Sequence, residues 1–220
     1  MSRKKLVRFA QNEVNPNVVQ AGKPIFDQIK GQWNTLQFAN DQPLVVELAC
    51  GRGEFTLGLG RQYPNQNFIG VDIKGSRIWK GSSTATAEGI QNVAFLRTQI
   101  QQLDAFFAPS EISELWITFP DPFPRDGDEK RRLTSARFLE MYKQLVKAGG
   151  IIHFKTDNTG LFEYTEEVLA SRSDCQVLFA TADFYASDLR DAHHGIKTRY
   201  EKIFSDKGEK IKYIQFSFIG

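Results

Sequence analysis

The chain has 220 residues, 41% hydrophobic and 25% charged, a composition that suits one domain with a real buried core and excludes a disordered or fibrous protein. A formal net charge of +2 gives no global signature of a nucleic-acid binder, although basic residues crowd at Arg3, Lys4, Lys5 and Arg8 and again at Lys130, Arg131, Arg132 and Arg137. Two distant cysteines, Cys50 and Cys175, without a CxxC spacing, exclude a disulfide framework and a structural zinc site and suit a reducing compartment.

In chain order, residues 1–40 are polar and lack clean periodicity; they read as a partly flexible arm with one short helix. The basic SRKKLVR stretch has no apolar region behind it, so no secretory signal is visible, and it reads either as a solubilising tail or as an arm reaching RNA. No apolar run approaches the ~18 residues of a membrane span, and a cytoplasmic protein is expected.

Residues 41–220 then read as a single domain. Strand-like runs recur at LVVEL (44–48), NFIGVDI (67–73), VAFLR (93–97), ELWITF (114–119) and GIIHFKT (150–156), with helical segments between them. The clearest helix is TSARFLEMYKQLVKAGG, with Phe138, Leu139, Tyr142, Leu145 and Val146 on one face, Thr134 or Ser135 to cap it and Gly149–Gly150 to end it. Such alternation predicts an α/β fold with a doubly wound, mostly parallel sheet. QVLFATA (176–182) and IKYIQFSF (211–218), joined by a loop-rich stretch, predict an antiparallel pair closing one edge.

LVVELACGRGEF is a strand, a small-residue turn and a helix start, with Gly51 and Gly53 permitting a tight turn at the carboxyl end of the first central strand. Glu47 lies inside that strand. Asp72 ends the next one, where a ribose diol would meet a bidentate acceptor. NAD and S-adenosylmethionine both carry such a ribose, but Glu54, directly after the second glycine, would repel a pyrophosphate and tolerate a sulfonium and an amino acid. ITFPDPFPRDGDEKRRL (117–133) holds Asp121 between prolines at the same rim. Proline stops the strand and restricts the backbone, which suits an oriented carboxylate, and Phe119 and Phe123 could stack a planar base.

These segments resemble the bacterial tRNA (guanine-N7-)-methyltransferases over nearly the whole chain. VELACGRGEF looks like their cofactor motif, FPDPFPRDGDEKRRLTSARFLEMY like their signature loop and helix, and GIIHFKTDNTGLFEY and TRYEKIF like two further blocks. The resemblance implies a class I methyltransferase (Rossmann-like) fold that methylates N7 of the tRNA variable-loop guanine at position 46 with S-adenosylmethionine. It implies cofactor contacts from Glu47, Gly51, Gly53, Asp72, Gln99 and Asp121, with Asp121 also catalytic. It implies tRNA contacts from Arg125, from the loop Gly127, Asp128, Glu129, Lys130, Arg131 and Arg132, from Asp157, and from Thr198, Arg199, Tyr200 and Glu201. No metal, membrane or DNA partner is implied, and the oligomeric state stays open, a homo-oligomer included.

The chain departs from the family at Ala49, where glycine is usual, at Gln99, where an acid is usual, at DPFPR in place of DPWPK, and in a loop made less basic by Asp126 and Asp128. Other readings of the same residues are a methyltransferase for a small molecule or protein, an RNA-binding protein that has lost catalysis, and, more remotely, an NAD-dependent oxidoreductase. His193 and His194 read as a solvated loop, and His153 as a structural residue. Trp33, Trp79 and Trp116 read as packing residues.

Overall fold

In a computed structural model, which describes residues 3–219, the branched and aromatic runs become strands β2 (Leu44–Leu48), β3 (Asn67–Asp72), β4 (Val93–Arg97), β5 (Ile112–Thr118) and β6 (Val146–Thr156), all mutually parallel. Met1, Ser2 and Gly220, at the outer ends of the expected arm and domain, lie outside the described residues, as do the side chains of Arg3 and Lys4. Strands β7 (Cys175–Thr181) and β8 (Lys212–Phe218) are antiparallel, as their late position in the chain suggested. β8 inserts between β6 and β7.

The expected arm is more integrated than its polar composition implied. It holds a helix, α1 (Arg3–Val14), but also a short strand, β1 (Val18–Gln20), which pairs parallel with β4. The completed order is β1–β4–β3–β2–β5–β6–β8–β7. Asn12, fully buried, donates from Nδ2 to the carbonyl of Gly75 at 2.8 Å and so ties α1 to the start of α3 (Gly75–Glu88).

Successive residues of each strand serve opposite faces, since a strand alternates its side chains. Val46, Ile69, Leu96, Leu115 and Phe154 face a core closed by α4 (Ala136–Leu145) and α5 (Thr159–Ala170). Val45, Phe68, Phe95 and Trp116 face a second core under α2 (Glu54–Gln62), α3 and Phe184. With both faces covered, the central strands are buried along their length.

Two boundaries differ from the sequence reading. The helix after the proline loop ends at Leu145, not at the glycines, and β6 begins at once with Val146 paired to Ile112. The register then jumps, so that Glu114 pairs with Ile151, and the intervening bulge contains Gly149 at φ +71°. The stretch before β8, expected as irregular, contains α6 (Arg199–Asp206).

Candidate active site

A cleft runs along the carboxyl ends of β2, β3 and β5, where open α/β sheets bind ligands. It has two lobes of about 400 and 360 Å³, which share Ala49, Arg77 and Phe119. Glu47, Gly51 and Thr198–Tyr200 line the first lobe; Asp72, Gln99, Asp121 and Arg131 line the second.

The floor is the turn after β2, in which Ala49, Gly51 and Gly53 have φ of +58°, +57° and +69°. A Cβ on Gly51 would meet only the Ala49 carbonyl, at 3.9 Å, so glycine is needed there for its dihedral rather than for space. Gly53 differs from the expectation of ligand approach. Its Cβ would collide with Phe95 at 2.4 Å, and it lines neither lobe, so its absent side chain lets the turn pack on the sheet. Ala49 adopts a left-handed conformation that costs a residue with a Cβ roughly 1–2 kcal/mol.

Glu47 holds this turn from below. Gly53 is the N-cap of α2 and has no side chain to cap it. The buried Glu47 carboxylate accepts instead from the Thr56 amide at 2.9 Å, from the Thr56 hydroxyl, and from the Thr118 hydroxyl at 2.6 Å. One carboxylate thus joins β2, α2 and β5. Burial lifts it to about 7, against the lowering effect of the bonds from Thr118 and Thr56. Asp72 accepts from the Gly51 amide at 3.0 Å and the Lys74 amide at 2.7 Å, which fixes the carboxylate at the mouth of the second lobe. Gln99, exposed, opens the 3₁₀ turn Ile100–Ala105 on the far wall.

Asp121 is exposed and makes no hydrogen bond among the described residues, in contrast to Glu47 and Asp72. Its orientation comes from the flanking phenylalanines as much as from the prolines. Phe119 and Phe123 have φ of +49° and +44°, each immediately before a proline, a conformation that costs a bulky residue roughly 1–3 kcal/mol. Both are anchored. Phe119 donates its amide to the Lys155 carbonyl at 2.9 Å, and the Phe123 carbonyl accepts from Arg132 Nε at 3.1 Å. The Arg131 guanidinium lies over the Phe123 ring at 4.2 Å.

The loop after Asp121 is a 3₁₀ turn, Asp126–Arg131. Asp128 pairs with Arg131 at 2.9 Å, and Glu129 accepts from the Tyr164 hydroxyl at 2.9 Å, so the acidic residues of this loop organise it. Arg125, Gly127 and Lys130 are exposed, and Arg132 stacks over Tyr164 at 4.3 Å. Across the cleft, Thr198 caps α6 by accepting the Glu201 amide at 3.1 Å, and the Arg199 amide donates to Glu54 at 2.6 Å. Tyr200 is 46% exposed and lies 5.5 Å from the Phe119 ring. Burial raises the Tyr200 phenol, and the charges of Asp157 and Asp121 raise it further. Asp157 is itself half-buried, and burial pushes its carboxyl up.

The family model described as "Putative methyltransferase" matches residues 41–214. A tRNA (guanine-N(7)-)-methyltransferase of Cytophaga hutchinsonii is 46% identical over all of this chain and 99% of its own length. One of Bacteroides fragilis is 46% identical over 98% of this chain and 86% of its own length. The chain belongs to the tRNA (guanine-N7-)-methyltransferase family. Among solved structures, the 16S rRNA methyltransferase KamB superposes with a TM-score of 0.61 at 17% identity, covering 93% of this chain and 99% of the other. The 16S rRNA (adenine(1408)-N(1))-methyltransferase of Catenulisporales acidiphilia gives 0.62 at 15%, covering 92% and 99%. Both likenesses concern the fold, a class I methyltransferase sheet with an antiparallel end.

S-adenosylmethionine is the cofactor of these tRNA (guanine-N7-)-methyltransferases, and residues along the cleft have chemistry that fits it. Asp72 offers a held carboxylate for a ribose diol, the φ-positive turn keeps side chains out of the floor, and Glu47, Asp72 and Asp121 surround the space with acids suited to a sulfonium and an ammonium.

One feature of this family member was not visible in the sequence, a buried ion pair. Lys155, 1% exposed, pairs with Glu201, fully buried, at 2.7 Å, and its ammonium lies 5.0–5.9 Å from the rings of Phe184, Phe119 and Phe55. Glu201, expected beside Thr198 as a substrate contact, therefore turns inward, where Tyr185 also donates to it at 2.5 Å. The T-R-Y-E spacing is the sequence signal that could have announced α6, because it has the form of a capping box. Its glutamate is diverted to the lysine.

Proposed function

We propose that this chain transfers a methyl group from S-adenosylmethionine to N7 of a guanine in tRNA, the variable-loop guanine at position 46. The observation that carries the reading is the placement of Asp121: an exposed carboxylate, free of internal hydrogen bonds among the described residues, in an anchored turn at the rim of a methyltransferase cleft.

When bound, S-adenosylmethionine supplies a methyl group activated by a sulfonium. Guanine N7 has a lone pair and no proton, so no residue is needed as a general base. The purine becomes cationic as N7 is alkylated, and Asp121 serves by its negative charge, which is worth most where water is excluded. Phe119 and Tyr200 form an aromatic corner for the purine ring. N7 points away from the Watson–Crick edge, whose N1–H and N2–H are donors, and the half-buried Asp157 is the acceptor that suits them. A guanine engaged in folded tRNA has to leave its stack to enter. Arg125 and the loop Gly127–Arg132 contact the RNA beside it, and Glu47, Asp72 and Gln99 hold the cofactor. The protein works in the cytoplasm in this reading; no helix of the described residues is long and apolar enough to cross a membrane.

The test combines methyl-labelled S-adenosylmethionine with an unmodified tRNA transcript, then borohydride reduction and aniline cleavage, which together cut at N7-methylguanosine. Wild type should label the RNA and give one cut in the variable loop. Asp121→Ala should lose turnover by about 10²–10³-fold while retaining measurable cofactor binding. Label without a variable-loop cut would refute the substrate atom, and undiminished turnover in Asp121→Ala would remove Asp121 from the chemistry.

A further inference from the structure

A second, larger groove of about 800 Å³ opens off the first lobe, between α2, α3 and the segment 195–202. It shares Arg52, Glu54 and Arg199 with the cofactor cleft, so the two form one continuous surface. Its walls carry Arg52, Arg61, Lys80, Lys197, Arg199 and Lys202 against a single acid, Glu54. Glu54 is already engaged by the Arg199 amide, and Arg61 is paired with Glu88 at 2.7 Å. The other five cations enter no ion pair among the described residues.

In a chain with 28 basic and 26 acidic residues, this concentration of one sign in a concavity is local. Low-dielectric walls lined by like charges focus their field on the space between them. The groove is also firmly built. A Cβ on Gly58 of α2 would stand 2.7 Å from Ile196, so the 195–197 segment lies directly on the helix. Lys197, at the rim, rests over the Tyr185 ring at 4.1 Å.

We propose that this groove binds the phosphate backbone of the RNA substrate, on the side of the cleft opposite the Arg125–Arg132 loop; the proposal rests on the function given above. Three of its cations, Lys80, Lys197 and Lys202, lie outside the cofactor cleft and outside the residues implied as substrate contacts. RNA crossing the cleft is then held on both flanks, by the proline-loop arginines near the second lobe and by the groove beyond the first. The target base lies between the two grips. These contacts are to phosphate, so they position the RNA without reading its sequence.

The test measures binding of an unmodified tRNA transcript over a range of salt, for wild type, the single variants Lys80→Gln, Lys197→Gln and Lys202→Gln, and the triple variant. Each single change should reduce the slope of log K against log salt by about 0.7–0.9, and the triple change by about 2–3. At 0.15 M salt the triple variant should bind roughly 50- to 150-fold more weakly, with cofactor affinity unchanged. Unaltered slopes in the single variants, with cofactor affinity retained, would overturn the groove assignment. Methylation by wild type is scored separately: tRNA labelled by wild type with flat variant slopes removes the groove, whereas no labelling by wild type removes the function on which it rests.

Discussion

Replacing Lys155 by methionine should be among the most damaging single changes to the fold; Lys155 is almost wholly buried. The ammonium and the Glu201 carboxylate are 2.7 Å apart, 1% and 0% exposed, so neither has water to fall back on. Methionine nearly conserves the volume and keeps the contacts of the aliphatic stem, a swap that by itself costs less than about 1.5 kcal/mol. The dominant loss is the stranded Glu201 charge. Breaking a buried pair from one side costs about 3–5 kcal/mol, a large share of the roughly 5–15 kcal/mol of an ordinary domain. The contacts with Phe55, Phe119 and Phe184 add about 0.5–1 kcal/mol. Urea unfolding at pH 7 should therefore show Lys155→Met less stable by about 3–5 kcal/mol, and Lys155→Met/Glu201→Gln recovering most of that loss, because the double change leaves no buried charge. Glu201→Gln alone should behave differently. Burial already lowers Lys155, with the Glu201 carboxylate opposing it, so without that carboxylate the lysine sheds its proton more readily in the folded state. Unfolded chains then bind more protons than folded ones below 10.5, and the stability of Glu201→Gln should rise with pH in that window. A loss under about 1 kcal/mol in Lys155→Met, or a double variant no better than the single, would refute the pair as a buried charge clamp.

Glu47 titrates near 7 in the folded chain against 4.5 as its ordinary value, so between those limits the folded state holds a proton that the unfolded state has released. Its contribution is full below pH 4.5 and is lost as pH rises through 7, by at most about 1.4 kcal/mol per unit; Glu47→Gln should remove that slope in paired urea melts at pH 5 and 8, and parallel pH profiles would count against it. Ala49→Gly should relieve the left-handed strain at φ +58° and, after the entropy of a freer unfolded chain, stabilise by about 0.5–1 kcal/mol, a rise of roughly 1–4 °C in melting temperature. A lower melting temperature would mean that the Ala49 methyl group packs usefully in the cleft floor.

The central sheet was legible because each buried strand is a short run of branched and aromatic residues, and the antiparallel end because its two strand-like runs come late in the chain and are joined by a loop-rich stretch. The acids at the rim were legible from position alone: Glu47 is the penultimate residue of β2, Asp72 ends β3, and Asp121 follows shortly after β5, on strands that are neighbours in the sheet. What escaped depends on partners distant in the chain. β1 is three residues long and becomes a strand only because β4 offers an edge. The helix ending at Leu145 runs straight into β6, and the apolar face of one element continues into the other without a change of composition. Lys155 lies in a strand-like run, and nothing nearby in sequence shows that Glu201 closes over it.

The insertion of β8 between β6 and β7 sets an order for assembly on the ribosome. β7 emerges first but has no strand to pair with, since among the described residues its one neighbour in the sheet is β8. At about 5–20 residues per second, the roughly forty residues from the end of β7 to the end of β8 take about 2–8 s to appear. Throughout that interval β6 presents the unpaired backbone groups of an open strand edge, from Ile151 to Thr156, beside a loose β7 that could pair with the wrong chain. The nascent protein thus passes through a period of sticky, half-closed sheet in which a chaperone would find its footing, and the arrival of β8 ends it by joining both strands in one step.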